Sequence, residues 1–566
     1  TSINHNAVNL SSYAGSLVNS ARPNAAKVVL ALSANQSVLN AHSVHDLVRN
    51  TNTLTPAGVT NSLDPGSNPT GYARTLETIE IFRAPASLHL SGTLVSALQW
   101  AESDPARDTN GSRSGPAFNR RIRGLVQSNL VTLGSGFLGQ HIAPYFTGAI
   151  NRAAVQLQDD LMRTVYGSNA VSAHSVLWTG ERVLDGASLT DLAANSGHTH
   201  VILDQMTHLW WWAEQLYGPN QGRNTALSDA GYQINRFNGM NAFLISGASD
   251  QMYTNHDLGP TFILRELIAR KAIAGSRDQV VILGDNWEAA GGVGGSRSPD
   301  RLNLNVRWLA NRPWVKLVTL EQVAAQQVDM NNDGAVNGSD TWYVNDRGTA
   351  AFGNLAKDFV RHASQLTYDN WFNGSAQEES FTNRAPFIRT GVTGTVRMGR
   401  PGSPGTILHD AWTNTAPVSG SLSNLARYVY LAGIWEAAFH NEDSGNRARF
   451  SNGSYIYPDT TYDTLASFAF NNNARIPRSA SLVARAAQWA ASAPGSNTVA
   501  TAIDADHDGE AEHILSNNRV YAVFERIGGR LIAAFARDPV SGKAVQVVGN
   551  LLSDPAREDE GEGEVS

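Results

Sequence analysis

The sequence predicts an α/β protein: a closed or nearly closed (β/α) barrel, followed by helices and a small C-terminal β segment. Three observations predict it. Over the first two-thirds of the chain, apolar runs of strand length alternate with stretches whose apolar residues recur every three to four positions. Each apolar run is followed by polar or acidic residues, as at the carboxyl ends of barrel strands, where such folds keep their chemistry. From about Ala500 the pattern changes to short alternating strands.

The expected strands are Lys27 to Leu32, Ser87 to Leu90, Ser175 to Trp178, His200 to Leu203, Ala242 to Ile245 and Gln279 to Leu283. Helical periods occupy Ala149 to Tyr166 and Pro260 to Ala274, and after the barrel Thr349 to Ser364 and Ser421 to Asn441. Residues 1–24 read as an N-terminal extension, 25–348 as the barrel and 349–498 as the helical bundle. The bundle carries a Gly/Pro-rich insert at 389–419, too long for a plain connection and expected to act as a lid or an interface. Residues 499–555 read as a calcium turn and a hairpin of Arg519 to Glu525 with Arg530 to Phe535, joined at Gly528 and Gly529. Two strands cannot stand alone, so they are expected to pack on the rest of the chain or to support self-association, as is the 389–419 insert. The acidic end, 556–566, is expected to be disordered.

At 566 residues and 42% hydrophobic, the chain can bury a large core. Net charge is -7, but Arg557 to Ser566 holds five acids and one base, leaving -7 - (-4) = -3 for the body. With no basic excess to neutralise phosphates, nucleic acid is not the expected partner. Cysteine is absent, which excludes a disulfide framework, a thiolate zinc site and a thiol nucleophile. No run of about 18 apolar residues suggests a membrane span. A polar start at Thr1 and a charged fraction of only 16% suit an exported, extracellular or cell-surface protein whose signal peptide has been removed.

The residues after the strands gather polar groups at one rim: Asn35 and Gln36, Ser91, Glu181, Asp204, Ser246, then Asp285 and Glu288. One acid after a strand is often a helix cap. Two acid-bearing strand ends, each beside a tryptophan (Trp178 and Trp287), point instead to a sugar site. There one carboxylate attacks and another carries a proton, while an indole offers a flat face to the ring.

These segments resemble glycoside hydrolase family 57, whose members are retaining, α-glucan-active enzymes of the α-amylase, amylopullulanase, 4-α-glucanotransferase and branching enzyme type. Trp178-Thr179-Gly180-Glu181-Arg182-Val183 is similar to the family's W-x-x-E-R-V segment, and "VVILGDNWEAAGG" to the segment of its acid/base aspartate. "LHLSGTLVSALQW", "GSGFLGQHIAPYF", "NRPWVKLVTLEQV" and "LAGIWEAAFHNED" resemble other family segments in the same order, so the likeness spans roughly residues 25 to 445. The resemblance implies an incomplete (β/α)7 barrel followed by a helical bundle, and cleavage or transfer of α-glucosidic bonds in starch-like or glycogen-like polysaccharide. Glu181 is the implied nucleophile and Asp285 the implied acid/base, needing no cofactor. The implied substrate contacts are Asn35, Gln36, His89, His141, Trp178, Asp204, Trp287, Glu288, Trp435 and Glu436. Where the family's first strand ends in His-Gln-Pro, this chain has Asn35 and Gln36. The altered acid/base segment makes Glu288 a rival for the proton role. Arg182 is expected to help keep Glu181 ionised, and Asp285 is expected to hold its proton through apolar neighbours and the charge of Glu181.

Several residues have plainer readings. His89 reads as a satisfied barrel histidine able to hydrogen-bond inward. Of Trp210, Trp211 and Trp212, at least one must be exposed, because consecutive residues cannot share a helix face. His256 and Asp257 read as a helix cap, and Glu436 with His440 as a polar helix face.

Two segments speak for structural calcium. "DMNNDGAVNGSD" sets Asp329, Asn331, Asp333, Ala335 (through its carbonyl), Asn337 and Asp340 at positions 1, 3, 5, 7, 9 and 12 of a hand-type loop, with Gly334 at the sharp turn. It resembles the dockerin loop. "DADHDGEAEHIL" offers Asp504, Asp506, Asp508 and Glu512, with apolar Leu515 at position 12. The rival class is a glycosidase-like barrel that binds carbohydrate outside cells, or serves as a surface or filament component, without cleaving. A polysaccharide deacetylase would need a His/His/Asp set at strand ends, and none is seen.

Overall fold

The computed structural model describes residues 25–38, 71–101 and 115–349, the last with short breaks at 219, 254, 257–258, 274–277 and 293–298. Beyond these it describes 407–415, 420–435, 449–451, 454–456, 467–492, 494–507, 510–526 and 528–549, with isolated positions between 44 and 48. The N-terminal extension, the expected helix 349–364, most of the 389–419 insert, Asp257, Glu436, His440, Asp508 and the acidic tail lie outside the described residues. The chain divides into two compact units, 1–136 with 158–361, and 137–157 with 362–566. No helix among the described residues is long and apolar enough to cross a membrane.

The first unit is an α/β barrel. Strand β1 (Ala26–Ala34) is buried along its whole length and pairs in parallel with β2 (Ala86–Leu90). The path runs on to β3 (Val131–Leu133) on that side. Beyond the short β4 (Ser135–Gly136) come β5 (Leu177–Trp178), β6 (His200–Asp204), the antiparallel flanking strand β7 (Ile234–Phe237), β8 (Met240–Ile245) and β9 (Val281–Asn286). The order is β3-β2-β1-β9-β8-β6-β5-β4, so its two ends are halves of one segment split by Gly134. The row therefore curls into a ring of seven parallel strands, counting 131–136 as one. The seams are thin: β9 meets β8, and β5 meets β6, through single pairs, Ile282 with Ile245 and Leu177 with Val201. Gly134 has a reason to be glycine, since a Cβ there would lie 2.9 Å from the Trp178 ring that fills the barrel.

Period-two alternation explains why the strands read as continuous apolar runs. Leu30, Leu32, Val281 and Leu283 face an outer core with helices α1 (Tyr72–Phe82) and α2 (Pro299–Ala310), while Val29, Ala31, Trp178, Ile202 and Ile282 fill the inside. Both sides of each strand are buried, so no polar alternation survives.

The closing segment works from below. Strand β10 (Val315–Val318) pairs with the first half of β1, beneath β2, which takes the second half. Thr319 and Gln322 then form a reciprocal capping box that starts helix α3 (Leu320–Ala324). The box holds Glu321 under the barrel, where its carboxylate accepts from Ser87 Oγ at 2.8 Å, from the Thr132 hydroxyl and from Val176 N–H at 3.4 Å.

In the second unit, five successive strands between Val499 and Val548 form an antiparallel sheet. The hairpin expected from sequence is its middle: Val520–Phe524 pairs with Leu531–Arg537. Trp489, on the helix Ser467–Ala491, packs at a tilt on Tyr521 of the sheet, with ring centroids 5.9 Å apart. Gly139 allows close approach here, since a Cβ would fall 2.3 Å from the carbonyl oxygen of Leu431.

Candidate active site

The inner face of the barrel rises from apolar to polar. Near the top of β1, Ser33 Oγ lies 2.9 Å from His89 Nδ1 on β2, and the imidazole stacks on Trp178 of β5 at 5.7 Å. His89 is fully enclosed, and burial pulls its pKa down to about 3, so the ring is neutral and acts by hydrogen bonding and packing.

Just above Trp178 the chain leaves β5 in a strained turn. Glu181 (φ 47, ψ 15) and Arg182 (φ 56) are consecutive non-glycine residues in the left-handed region. Such conformations cost roughly 1–3 kcal/mol each and persist only where surroundings enforce them. The enforcement is visible: Val183 N–H donates to Gly180 O at 3.0 Å, Arg182 Nε donates to Asp204 at 2.7 Å, and His208 Nε2 lies 2.9 Å from Arg182 O. Asp204, expected to meet substrate, and Arg182, expected to serve Glu181, form a largely buried ion pair with each other. The pair ties the strained turn that carries Glu181 to the end of β6.

The other half of the rim comes from β1, β9 and α1. The Gln36 backbone is pinned to Ser91: its N–H donates to Ser91 Oγ at 3.1 Å, and that hydroxyl donates to Gln36 O at 2.9 Å. The Gln36 side chain reaches Tyr72 at the start of α1. Burial first, and the charge of Glu288 second, hold the Tyr72 phenol protonated well above its usual range. Glu288 itself follows β9 on the single-turn helix α4 (Trp287–Ala290). Burial first, and then the charge of Glu181, push its carboxyl up to about 7, offset in part by its own backbone N–H. Glu181 and Glu288 are therefore in electrostatic contact at one rim. Asp285 is the next-to-last residue of β9 rather than a residue after it, and its Oδ1 accepts from Asn286 N–H at 2.8 Å.

The two tryptophans differ from expectation. Trp178 is 2% exposed and Trp287 is wholly buried, the latter packed on Tyr72 at 4.8 Å and Phe118 at 6.0 Å. Neither ring presents a face to a sugar; the aromatic signal marked core packing. Among the indoles after β6, Trp212 is buried against Phe237, while Trp210 and Trp211 are partly exposed. Asn35 is partly exposed at the end of β1. His141 and Trp435 belong to the second unit. His141 is buried there, stacked on Phe137 at 4.5 Å with Nε2 2.7 Å from Asn151 Oδ1, and burial lowers its pKa to about 4. Tyr72 and Glu321 went unnoticed in the sequence, which carries no local signal for either.

The 329–340 loop adopts a tight oxygen-lined form. Asp329 accepts from Asp333 N–H and Gly334 N–H at 3.1 and 3.0 Å, and buried Asp340 accepts from Met330, Asn331 and Asn337 N–H. Gly334 takes φ 90 at the sharp turn. Lys27, at the foot of β1, donates to Met330 O at 2.9 Å and ties the loop to the barrel. In the second unit, carboxylate oxygens of Asp504, Asp506 and Glu512 converge within 4.8 Å of one another. Both sets are hard oxygen donors, the chemistry that suits calcium.

No family model matches the chain, and no curated protein matches it. Among solved structures, the fold is similar to a 4-alpha-glucanotransferase from Thermococcus litoralis, with 13% identity, 91% of this chain and 67% of that chain covered, and a TM-score of 0.44. It is similar to a GH57 branching enzyme from Thermococcus kodakaraensis, with 9% identity, 73% and 85% covered, and a TM-score of 0.38. A putative polysaccharide deacetylase from Mycobacterium smegmatis matches at 12% identity, 53% and 90% covered, and a TM-score of 0.32. At these scores the likeness carries nothing about chemistry, which has to come from the residues of the rim.

Proposed function

We propose that this protein is a retaining glycoside hydrolase or transglycosylase acting on α-glucosidic bonds of a starch-like or glycogen-like polysaccharide, outside the cell. One observation carries the reading: two acids from different strand ends, Glu181 and Glu288, stand in electrostatic contact at the carboxyl rim of a parallel barrel. Two like charges close together at a rim oppose each other's ionisation, an arrangement common where a site must hold one acid protonated and the other charged. In this reading Glu181 attacks the anomeric carbon, and a carboxyl of the 285–288 segment, Asp285 by family resemblance, protonates the departing oxygen. The same group then takes the proton of water or of an acceptor sugar hydroxyl, which separates hydrolysis from transfer. Partly exposed Trp210 and Trp211 are aromatic candidates for sugar contact in addition to Trp435.

Calcium would be held structurally by Asp329, Asn331, Asp333, Asn337 and Asp340 with the Ala335 carbonyl, and by Asp504, Asp506 and Glu512, supplying local cross-links and no step of the reaction. The function is tested by product release from soluble starch, glycogen and maltooligosaccharides, comparing the native protein with Glu181→Gln. The reading expects products from the native protein alone. No product on any α-glucan would favour the carbohydrate-binding or structural alternative.

A further inference from the structure

We infer that Glu288, rather than Asp285, is the carboxyl that delivers and recovers the proton opposite Glu181. The inference rests on the glycosidase reading and deepens it.

The first support is the pleat. Along β9, Val281 and Leu283 belong to the outer core and Ile282 to the inner one. Gly284 continues the inner side, since a Cβ there would meet the Ile245 side chain at 2.9 Å. Alternation then puts Asp285 on the helix-facing side, in register with outer-core Leu32. The inner position falls to Asn286, in register with Ser33, whose hydroxyl meets His89 inside the barrel. An acid serving the barrel mouth from a strand needs the inner parity, which Asp285 lacks.

The second support is the turn that follows. Trp287 is clamped between Tyr72 and Phe118, and Gly71 N–H donates to Gly291 O at 2.6 Å, fixing both ends of the single-turn helix. Successive helical residues point about 100° apart, so anchoring Trp287 in the outer core turns Glu288 away from that pocket. The Glu288 side chain comes within electrostatic range of Glu181 and Tyr72. Its Oε2 is buried and has no hydrogen-bond partner among the described residues. A buried carboxyl oxygen left without a protein donor is costly unless the group is protonated or a ligand supplies the partner.

The titratable groups around it are Glu181 from the turn after β5, Tyr72 from α1 and Asp285 from β9. Burial and the Glu181 charge leave it half-protonated near pH 7, which suits a group that must both give and take a proton. In the first step a Glu181 oxygen bonds to the anomeric carbon while the glycosidic C–O bond breaks. The leaving oxygen takes that bond's electron pair together with the Glu288 proton. In the second step the Glu288 carboxylate removes a proton from water, the water oxygen bonds to the anomeric carbon, and the ester bond to Glu181 breaks.

The test compares Glu288→Gln and Asp285→Asn with the native protein on maltooligosaccharide and on α-glucosyl fluoride, whose leaving group needs no proton. Glu288→Gln should lose about 10²- to 10⁴-fold in kcat/KM on maltooligosaccharide yet keep kcat/KM on the fluoride within about tenfold. Added azide should raise its turnover of the fluoride and yield glucosyl azide. The native kcat/KM should fall above about pH 7, and that limb should vanish in Glu288→Gln. Retained fluoride cleavage also shows that the variant folds. If Asp285→Asn gives this pattern while Glu288→Gln behaves as native, the assignment is overturned and the glycosidase reading stands. If the native protein cleaves neither compound, both fall together.

Discussion

Glu321, buried at the base of the barrel, and Glu288, half-buried at its rim, are both acids whose carboxyls desolvation pushes upward, but their surroundings differ. Glu321 accepts from Ser87, Thr132 and Val176 and so joins β2, β3 and the entry to β5. Its hydrogen bonds partly offset the cost of burial, and nothing in its position asks for a ligand. Glu288 has a bare oxygen, a like charge in range and a phenol beside it. The difference teaches that a shifted carboxyl is not by itself a sign of chemistry. What separates structural from chemical acids is whether the protein completes the hydrogen bonds of the charged form.

That contrast can be broken from either end. The largest effect is expected for Glu181→Gln: loss of measurable glucan cleavage with thermal stability essentially unchanged, read by reducing-end assay and calorimetry. Glu321→Ala should invert the pattern. Three polar groups lose their partner, so urea unfolding should show a loss of about 3 kcal/mol, while the folded fraction keeps its kcat. Asp204→Asn weakens the pair that holds the strained turn, and kcat should fall about 10- to 100-fold with KM little changed, as expected when a nucleophile is misplaced.

A smaller, pH-dependent effect sharpens the comparison. The folded Glu288 carboxyl lies near 7 and its ordinary value is 4.5, so the group stabilises the fold fully below pH 4.5. That contribution is lost as pH rises through 7. Denaturant unfolding of the native protein between pH 5 and 8 should therefore lose stability that Glu288→Gln does not lose. The smallest effect concerns the proposed calcium loops: adding EGTA to protein in millimolar calcium should lower the melting temperature by a few degrees, and Asp340→Asn should reduce that response by the share of the 329–340 loop, leaving the part due to Asp504, Asp506 and Glu512.

Much of the barrel was legible in the sequence because its strands are buried on both faces and read as plain apolar runs. The closing pieces were harder. Val131–Leu133 and Ser135–Gly136 are too short to show a period, and Gly134 interrupts them for the sake of a tryptophan far along the chain. In the C-terminal part, Val499–Ile503 and Ala544–Val548 have exposed apolar residues and no alternation, so only the central hairpin stood out. At the candidate site, Glu181 drew notice through the segment around it, whereas the pairing of Arg182 with Asp204 requires two strand ends to be neighbours. Trp178 and Trp287 misled because an indole looks the same in sequence whether it meets a sugar or a core. Tyr72 lies more than two hundred residues from Glu288, and only the fold brings them together.

The central claim is that Glu181 forms a covalent bond to the sugar. The most direct measurement is incubation with a fluorinated α-glucosyl fluoride whose second step is slow, followed by peptide mapping by mass spectrometry. The account predicts one added glycosyl unit on the peptide that contains Glu181. A label on Glu288 or Asp285, or no label while α-glucan is being cleaved, would contradict it.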